Sequence, residues 1–265
     1  MTTLSVLVTV YHGTNARDLQ RALDSLAAQT RPADELVIVA DGPVGEGVRR
    51  VVERQDARVI WLPENVGAGP ASQAGLSTID SVYTARLDSD DAAKPERFAR
   101  QLKYLEAHPQ CGALGTAVEE FAQEPGDTGK VRALPEDPHA YAKMNSPVNN
   151  PSVMLRTRAV KEVGGYKDVH FMEDYDLYAR LIAGGWQVRN LPEALTDFQV
   201  TDAQFARRTG REMLAAEAQM QRNLVEYGLI RRPRAAFNVA ARTAYRALPT
   251  GLLRRVYAAL FHRGG

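Results

Sequence analysis

The sequence is poor in cysteine, in long apolar runs and in net charge. Its one cysteine, Cys111, excludes an intramolecular disulfide framework and a zinc site built from several thiolates. No stretch reaches the roughly 18 consecutive apolar residues of a membrane-spanning helix, and no basic leader precedes the first strand-like run, so we expect neither a span nor a signal peptide. The formal net charge of +1 argues against a general nucleic-acid binder.

Acidic residues are missing from the C-terminal part of the chain. From Arg231 to the end there are eight arginines and no Asp or Glu, so the rest of the chain is net acidic. Residues 235–263 also repeat apolar side chains at roughly helical spacing, with a break at Pro249. Such a segment either lies on an anionic membrane or packs on the domain with a solvated basic face, and periodicity leaves both alternatives open. We therefore expect a cytoplasmic protein, either unattached or peripheral on the inner face of the plasma membrane.

The first half of the chain alternates between apolar, strand-like runs and segments with helical spacing. The strand-like runs cover residues 5–10, 35–40, 59–62 and 82–87. The helical segments cover residues 16–28, 45–55 and 70–79. This alternation at βαβ spacing predicts a parallel sheet with helices on both faces.

The second half is less regular. Its periodicity predicts strands over residues 113–121 and 153–156, a helical turn over 157–163, and helices over 95–107, 174–183 and 208–227. Residues 124–138 are rich in glycine, proline and charge, so we expect a loop there.

Three carboxylates follow the fourth strand-like run. Asp88, Asp90 and Asp91 stand within four residues, and carboxylate oxygens are hard ligands suited to Mg²⁺ or Mn²⁺. Because Mg²⁺ usually binds one or two protein carboxylates together with substrate phosphates, the cluster indicates metal-assisted chemistry on a phosphorylated substrate. The alternative is a polar turn in which Asp91 caps the helix that Pro95 helps to begin.

Polar residues also end the first two strands. Tyr11 follows the first strand and Asp41 the second, and the ends of neighbouring parallel strands form the ligand crevice of an open sheet. An aromatic ring can stack on a base, an aspartate can accept from a base N–H, and a metal held by residues 88–91 can bridge a diphosphate. Together these strand ends predict a nucleotide site, although each alone is also typical of an ordinary strand end or turn.

A second acidic segment begins a predicted helix downstream. Glu173 and Asp174 follow a Gly-Gly-Tyr turn at residues 164–166 and a short loop. A carboxylate held beside an acceptor hydroxyl can act as a general base. The alternative is purely structural, with Asp174 as the N-cap of the helix.

Taken in order, the motifs resemble family 2 glycosyltransferases of the GT-A fold. They lie at residues 5–11, 25–30, 35–42, 65–69, 85–91, 150–154, 163–166 and 173–177. The C-terminal part, from residue 207 onward, resembles the bacterial exopolysaccharide and capsule transferases of the amylovoran type. The ordered set is far more specific than any one motif.

The resemblance implies a GT-A fold, with an open, mostly parallel sheet covered by helices on both faces and a helical C-terminal extension. It implies a glycosyltransferase domain over residues 1–203, with a nucleotide-sugar half (1–110) and an acceptor half (111–203), and a basic extension over 204–265. The implied reaction is a metal-dependent, inverting transfer from a nucleotide-diphosphate sugar, with UDP the first choice. The acceptor would be a hydroxyl of a saccharide or lipid-linked glycan in surface-polysaccharide synthesis.

The resemblance also implies roles for individual residues. Asp88 and Asp90 would hold Mn²⁺ or Mg²⁺ with Asp91 in support, Asp174 would be the base, and Glu173 would orient the acceptor. The implied nucleotide-sugar-binding residues are Thr9, Val10, Tyr11, Asp41, Gly67, Arg86, Asp88, Ser89 and Asp90. The oligomeric state stays open.

The chain departs from the family pattern at two places. Ser72 and Gln73 stand where many relatives carry an Arg-Asn pair. Residues 198–201 replace a Tyr-Arg-x-His sequence after the last core strand, which removes a basic group and a histidine. Asp202 and residues 207–208 are the candidates to replace what is missing.

Three other functions compete with a transferase. Residues 88–91 could form a phosphohydrolase motif of the haloacid dehalogenase type, but such a motif begins its domain and is not followed by a residue such as Ala92. Residues 67–72 could form a dinucleotide loop, but they lack the last glycine and follow the third strand. A non-catalytic relative that binds nucleotide sugars is the third.

Overall fold

The computed structural model describes residues 2–201 and 211–246. The strands in these ranges are β1 (Leu4–Tyr11), β2 (Glu35–Asp41), β3 (Arg58–Trp61), β4 (Tyr83–Arg86), β5 (Ala92–Ala93), β6 (Cys111–Phe121), β7 (Lys130–Arg132), β8 (Met154–Arg156) and β9 (Gln187–Gln199). The α-helices are α1 (Ala16–Ala27), α2 (Glu46–Glu53), α3 (Ala68–Ser77), α4 (Arg97–Ala107), α5 (Thr157–Glu162), α6 (Glu173–Ala183), α7 (Arg211–Glu226) and α8 (Arg232–Arg246). Short 3₁₀ helices cover Tyr141–Lys143 and Asn150–Ser152.

All the described strands belong to one sheet, in the order β3-β2-β1-β4-β8-β6-β9-β5, with β7 paired to β6. Strands β3, β2, β1 and β4 run parallel, which confirms the prediction for the first half. Strand β8 runs antiparallel to both β4 and β6, and β5 runs antiparallel to β9, so the sheet as a whole is mixed.

Strand β1 is buried on both faces, which explains why its sequence is almost continuously apolar. Val6, Val8 and Val10 pack with α1 and α4 on one face, whereas Leu7 packs with α3, α5 and α6 on the other. A parallel strand between two helical layers leaves its carboxyl end as the accessible part.

Helix α6 lies between the sheet and the C-terminal helices. Leu177 and Leu181 pack in the cluster that covers the sheet, whereas Tyr175 and Ala179 pack with Met220 of α7. Two buried faces fix the direction of this helix and therefore the place of its first residues.

Three strands lie outside the predicted elements. Strand β5 has two residues, too few to show a period. Strand β7 falls within residues 124–138, where the sequence predicts a loop; its three residues form an edge pair with β6 and are too few to show an alternating pattern. Strand β9 has 13 residues, and its pairing with β6 contains register shifts that interrupt a period of two.

The C-terminal helices are held on the domain by polar contacts. Arg242 pairs with Glu217 at 2.5 Å and donates to the carbonyl oxygen of Met144 at 2.9 Å. Asn238, fully buried, donates to Gln221 Oε1 at 2.7 Å. Asn238 and Arg242 therefore anchor α8 on the domain. Residues 208–210 and 247–265 of the predicted helices lie outside the described residues, and within residues 2–201 and 211–246 no helix is long and apolar enough to cross a membrane.

Candidate functional site

The sheet order brings the predicted strand ends to one edge. Strand β1 lies between β2 and β4, and Tyr11 is the register partner of Asp41 across the β1–β2 pair. The aspartates at residues 88–91 begin two residues after β4 ends. The strand ends expected to form a nucleotide site thus lie side by side at one edge of the sheet.

Asp41 holds the glycine loop that precedes α3. Its carboxylate accepts from the Val66 backbone N–H at 2.7 Å, from that of Gly67 at 3.1 Å and from Asn65 Nδ2 at 3.0 Å. Gly67 has a φ of +93°, a conformation that favours glycine. Because a carboxylate has roughly four acceptor sites, these three hydrogen bonds do not use its full acceptor capacity. The sequence showed Asp41 and the glycines as separate motifs and did not reveal the hydrogen bonds between the two segments.

Tyr11 is oriented by its own turn. Its backbone N–H donates to Thr14 Oγ1 at 3.0 Å, and its ring covers Gly13, where an added Cβ would lie 2.6 Å from the ring. Thr9 is half-buried, and Val10 is fully buried in the core. Val10, a predicted binding residue, can therefore contact a ligand through its backbone alone.

The aspartate turn places its members differently. The Asp91 backbone N–H donates to the Asp88 carbonyl oxygen at 3.2 Å, and Asp91 is fully buried with Oδ1 accepting from the Gln199 backbone at 2.8 Å. The capping role considered for Asp91 is wrong, because Glu96 occupies the N-cap position of α4. Ser89 is buried, with its hydroxyl 3.4 Å from that of Thr14.

The electrostatics of this turn fit a hard cation. Burial, reinforced by repulsion from Asp90 and Asp88, raises the pKa of Asp91 well above its usual range, and its Oδ2 has no hydrogen-bond partner among the described residues. Loss of hydration also raises the pKa of Asp88, against the opposing effect of Arg86. No group of three or more His, Cys, Asp or Glu side chains in the described ranges forms a metal cage. The donor set therefore suits an ion that takes one or two carboxylates and completes its shell on phosphates.

Arg86 is a buried cation between the two acidic segments. It is 3% exposed, donates to Ser72 Oγ at 3.2 Å and lies 3.5 Å from Asp88 Oδ1. Its guanidinium carbon is 5.9 Å from the centre of the Tyr166 ring. The neighbouring departure, Gln73, accepts from the Tyr166 backbone N–H at 2.8 Å. Both departing side chains thus serve to fix Arg86 and the turn at Tyr166.

Helix α6 begins at Glu173, with Met172 in the N-cap position, so the structural alternative for Asp174 as N-cap is wrong. Asp174 Oδ1 accepts from the Tyr175 backbone at 2.7 Å. Burial raises the pKa of Asp174 to about 6, and the charge of Asp88 acts in the same direction. Burial and the charge of Asp174 raise the pKa of Glu173 to about 7. These values suit general-base chemistry near neutral pH.

The two acidic segments lie close enough for their charges to interact. The charges of Asp88 and Arg86 both act on Asp174, the former raising and the latter lowering its pKa. The glycine loop and the first turn of α3, which follows it, also reach this place, since an added Cβ at Gly69 in α3 would lie 3.1 Å from Glu173 Cβ and 2.5 Å from the Lys167 carbonyl oxygen. The structure therefore brings together the glycine loop, Arg86, Asp88 and both α6 carboxylates.

Arg132 is a site-adjacent residue that the sequence did not single out. Its guanidinium carbon lies 4.4 Å from the centre of the Phe198 ring, and its charge lowers the pKa of Asp91. It stands on β7, where the sequence predicts a loop. Asp202 and residues 207–208, the candidates to compensate for the missing basic group and histidine, lie outside the described residues.

The fold is the GT-A fold of glycosyltransferases. The chain is similar to residues 1–349 of S. aureus TarS in complex with UDP-GlcNAc, with a TM-score of 0.67, 15% identity and coverage of 98% of this chain and 73% of that one. It is also similar to the mannosyltransferase PcManGT from Pyrobaculum calidifontis in complex with GDP-Man and Mn²⁺, with a TM-score of 0.60, 20% identity and coverage of 97% and 79%. At such identities the likeness concerns the fold alone.

Sequence comparison shows the family. Residues 5–159 match the model for glycosyl transferase family 2. Amylovoran biosynthesis glycosyltransferase AmsE of Erwinia amylovora is 34% identical over 263 residues, 96% of this chain and 97% of that protein. The UDP-Gal:alpha-D-GlcNAc-diphosphoundecaprenol beta-1,3-galactosyltransferase of Escherichia coli is 28% identical over 265 residues, 98% and 96% of the two chains.

The chain belongs to glycosyl transferase family 2 and is a glycosyltransferase. This confirms the resemblance carried by the ordered motifs. It also sets aside the phosphohydrolase, dinucleotide-binding and non-catalytic alternatives.

Proposed function

We propose that this enzyme is an inverting, metal-dependent glycosyltransferase of surface-polysaccharide synthesis. It moves a sugar from a UDP-sugar to a hydroxyl of a saccharide or lipid-linked glycan. The observation that carries the proposal is the proximity of Asp88 and Asp174, whose charges interact, together with Arg86, which lies 3.5 Å from Asp88 Oδ1 and also acts on Asp174. A leaving diphosphate on the Asp88 side and a base on the Asp174 side are the requirements of a single displacement.

Residues 1–110 form the donor half of the proposed domain over 1–203. Tyr11 stacks on the base, and the remaining acceptor capacity of Asp41 takes a base N–H. Support comes from the register pairing of these two residues and from the fixed ring of Tyr11. Gly67 presents backbone beside Asp41, where a Cβ would be strained.

Asp90 and Asp88 are the proposed ligands of Mn²⁺ or Mg²⁺. The side chain of Asp88 is 35% exposed, whereas Asp91 is fully buried, so Asp91 supports the turn from behind. When bound, the cation would neutralise the negative charge of the leaving diphosphate. PcManGT, with the same fold, binds GDP-Man and Mn²⁺.

Asp174 is the proposed base and Glu173 the residue that orients the acceptor. Both are half-buried, and their raised pKa values favour proton uptake near neutral pH. The similar E. coli enzyme acts on GlcNAc-diphosphoundecaprenol with UDP-Gal. This supports a diphosphate-linked lipid as acceptor and UDP as the nucleotide of the donor.

A membrane-linked acceptor gives the C-terminal extension, residues 204–265, a role. On α8, Arg232 and Arg234 are exposed, Arg231 before the helix is also exposed, and the Phe237 side chain is 59% exposed. A basic surface with an exposed aromatic ring suits the headgroup region of an anionic bilayer. We include peripheral attachment to the inner face of the membrane in the proposal.

A thermal-shift panel tests the donor and the metal together. The panel contains UDP, dTDP, GDP and their sugar derivatives, each with and without Mn²⁺, because a ligand that binds the folded state alone raises the unfolding temperature. We expect a shift for a uridine nucleotide that grows when Mn²⁺ is present. A shift that is equal with and without the metal would contradict metal dependence, and one confined to GDP or dTDP would contradict the uridine donor.

A further inference from the structure

A small cleft lies between the glycine loop and the segment that precedes α6. Its volume is about 170 Å³. The lining residues are Val66, Gly67, Ala68, Gly69, Asp168, Val169, His170, Phe171 and Glu173. Pockets for drug-sized ligands measure about 300–1,000 Å³, so this one suits a unit no larger than a single sugar ring.

The position of the cleft connects it with both halves of the site. Its lining includes Gly67, whose backbone N–H donates to Asp41. It also includes Glu173, which precedes the proposed base in the chain. The walls are in close contact, because a Cβ at Gly69 would lie 2.5 Å from the Lys167 carbonyl oxygen. A molecule in this cleft would therefore be adjacent to the α6 carboxylates.

Phe171 gives the cleft an aromatic wall. Among the described residues it is the one non-glycine with a positive φ, at +62°, and it is 36% exposed. Its ring centre lies 3.8 Å from that of His170. A large apolar side chain in a left-handed conformation costs free energy, and such conformations cluster at ligand sites. The strained backbone at Phe171 therefore holds a partly exposed aromatic ring in the lining of the cleft.

The chemistry of the lining matches a pyranose. A sugar ring has an apolar face of C–H groups, which suits the electron-rich face of an aromatic ring. Its rim carries hydroxyls, which suit the carboxylates of Asp168 and Glu173 and the imidazole of His170. Asp168 and His170 are exposed, so their polar atoms can turn toward such a rim.

We propose that this cleft is the acceptor-sugar subsite, with Phe171 stacked on the terminal pyranose of the acceptor. The inference rests on the proposed function, since it is the transfer reaction that requires an acceptor hydroxyl beside Glu173 and Asp174. It names Phe171 as the residue that binds the ring, and Asp168 and His170 as partners of the hydroxyls. The occupant is a sugar, whether free or at the end of a lipid-linked glycan.

Saturation-transfer NMR with methyl glycosides tests the subsite without knowledge of the natural acceptor. The probes are the methyl pyranosides of glucose, galactose, mannose and N-acetylglucosamine, offered to the wild-type protein with UDP and Mn²⁺. We expect at least one to receive saturation, strongest on the protons of one ring face. Phe171→Ala should weaken that signal about fivefold or more, and Phe171→Tyr should retain it.

Phe237→Ala is the matched control, because it removes an exposed phenyl ring from α8, outside the lining of the cleft. It should leave the glycoside signal unchanged. Absence of saturation for every probe in the wild type, or an equal signal in Phe171→Ala, would overturn the subsite. Calorimetry of UDP binding in the same samples distinguishes failure of the subsite from failure of the proposed function. UDP binding without glycoside binding would refute the subsite alone. Glycoside binding without UDP binding would refute the proposed donor.

Discussion

The hydroxyl of Tyr227 donates a hydrogen bond of 2.7 Å to Oδ1 of Asp176. Asp176 is fully buried on α6, accepts from Asn223 Nδ2 at 2.9 Å and pairs with Arg180 at 2.7 Å. Asn223 of α7 and Tyr227, directly after α7, thus bind α6 at a position less than one turn after Glu173 and Asp174. The orientation of the two site carboxylates depends on residues about fifty positions further along the chain.

Asn223→Ala should lower both stability and turnover. It leaves part of the Asp176 carboxylate unsatisfied, which costs about 1–3 kcal/mol of unfolding free energy. It should also reduce kcat for transfer while the dissociation constant for UDP stays the same, because α6 carries the acceptor side of the proposed site. Chemical unfolding, steady-state kinetics and calorimetry measure the three quantities.

Asn238→Ala is the control for this change. Asn238 is also a buried asparagine of the C-terminal helices, but it bonds to Gln221 and to the Lys143 carbonyl oxygen instead of α6. It should lose similar stability and keep its turnover at a temperature where the protein is folded. Equal losses of turnover in both variants would show that Asp176 has no special positioning role.

Asp90→Ala and Asp174→Asn should fail in different ways. Asp90→Ala should abolish the metal-dependent part of nucleotide binding, since it removes a proposed ligand. Asp174→Asn should leave binding nearly intact and reduce transfer by about 10²–10⁴-fold, the usual contribution of a general base. If calorimetry shows that Asp174→Asn loses nucleotide as badly as Asp90→Ala, the assignment of roles is wrong.

Transfer should rise with pH between about 5 and 8. A base must be ionised, and burial raises the pKa of Asp174 to about 6 and that of Glu173 to about 7. The acid limb should therefore lie near pH 6–7 instead of near 4, and the rate at pH 5 should be about tenfold below its plateau. The UDP dissociation constant over the same range serves as the control. A rate that stays level down to pH 5 would refute the raised pKa of the base.

Gly69→Ala should damage the site through its backbone. The new Cβ would meet the Lys167 carbonyl oxygen at 2.5 Å and push the glycine loop from the beginning of α6. We expect a loss of about 1–3 kcal/mol in stability and a fall in kcat/KM. Gly45→Ala is the matched control, because no atom lies within 4 Å of its added Cβ and its φ is −61°. A Gly69→Ala enzyme as active as Gly45→Ala would contradict the close contact.

Membrane attachment should depend on the basic surface of α8. Replacing Arg231, Arg232 and Arg234 with serine should weaken binding to anionic liposomes about 100-fold, since each basic residue contributes on the order of 1 kcal/mol near such a surface. The matched control replaces three exposed arginines of the α2 region: Arg49, Arg50 and Arg54. Co-sedimentation measures the binding, and a variant lacking residues 251–265 reports the share of the remaining tail. Unchanged binding in both α8 and tail variants would rule out the membrane role.

The sequence predicted the first half of the fold well, because strands β1, β2 and β4 are mostly buried and therefore apolar, and helices separate them at regular spacing. The elements from β1 to β4 end within two residues of their expected positions. Strands β5, β7 and β9 were missed, because strands of two or three residues and a strand with shifted register have no clear period. Arg132 was not singled out because it lies on β7, which the sequence did not predict.

Candidate site residues could be predicted where several carboxylates lie within one short segment, as for Asp88 to Asp91 and for Glu173 with Asp174. Contacts between distant segments could not. Three features depend on how the folded chain packs and cannot be read from a list of motifs. They are the hydrogen bond from Gly67 to Asp41, the hydrogen bond from Tyr227 to Asp176, and the left-handed backbone of Phe171.

The position of β1 between β2 and β4 has a consequence for how such enzymes diversify. The strands that end at Tyr11 and Asp41 and the strand that precedes Asp88 are joined through one continuous set of sheet hydrogen bonds, so the residues proposed for the donor can shift little without disturbing the core. The α6 carboxylates and Phe171 enter from another layer. Substitutions in that layer would let the chain acquire new acceptors while its donor machinery is inherited intact.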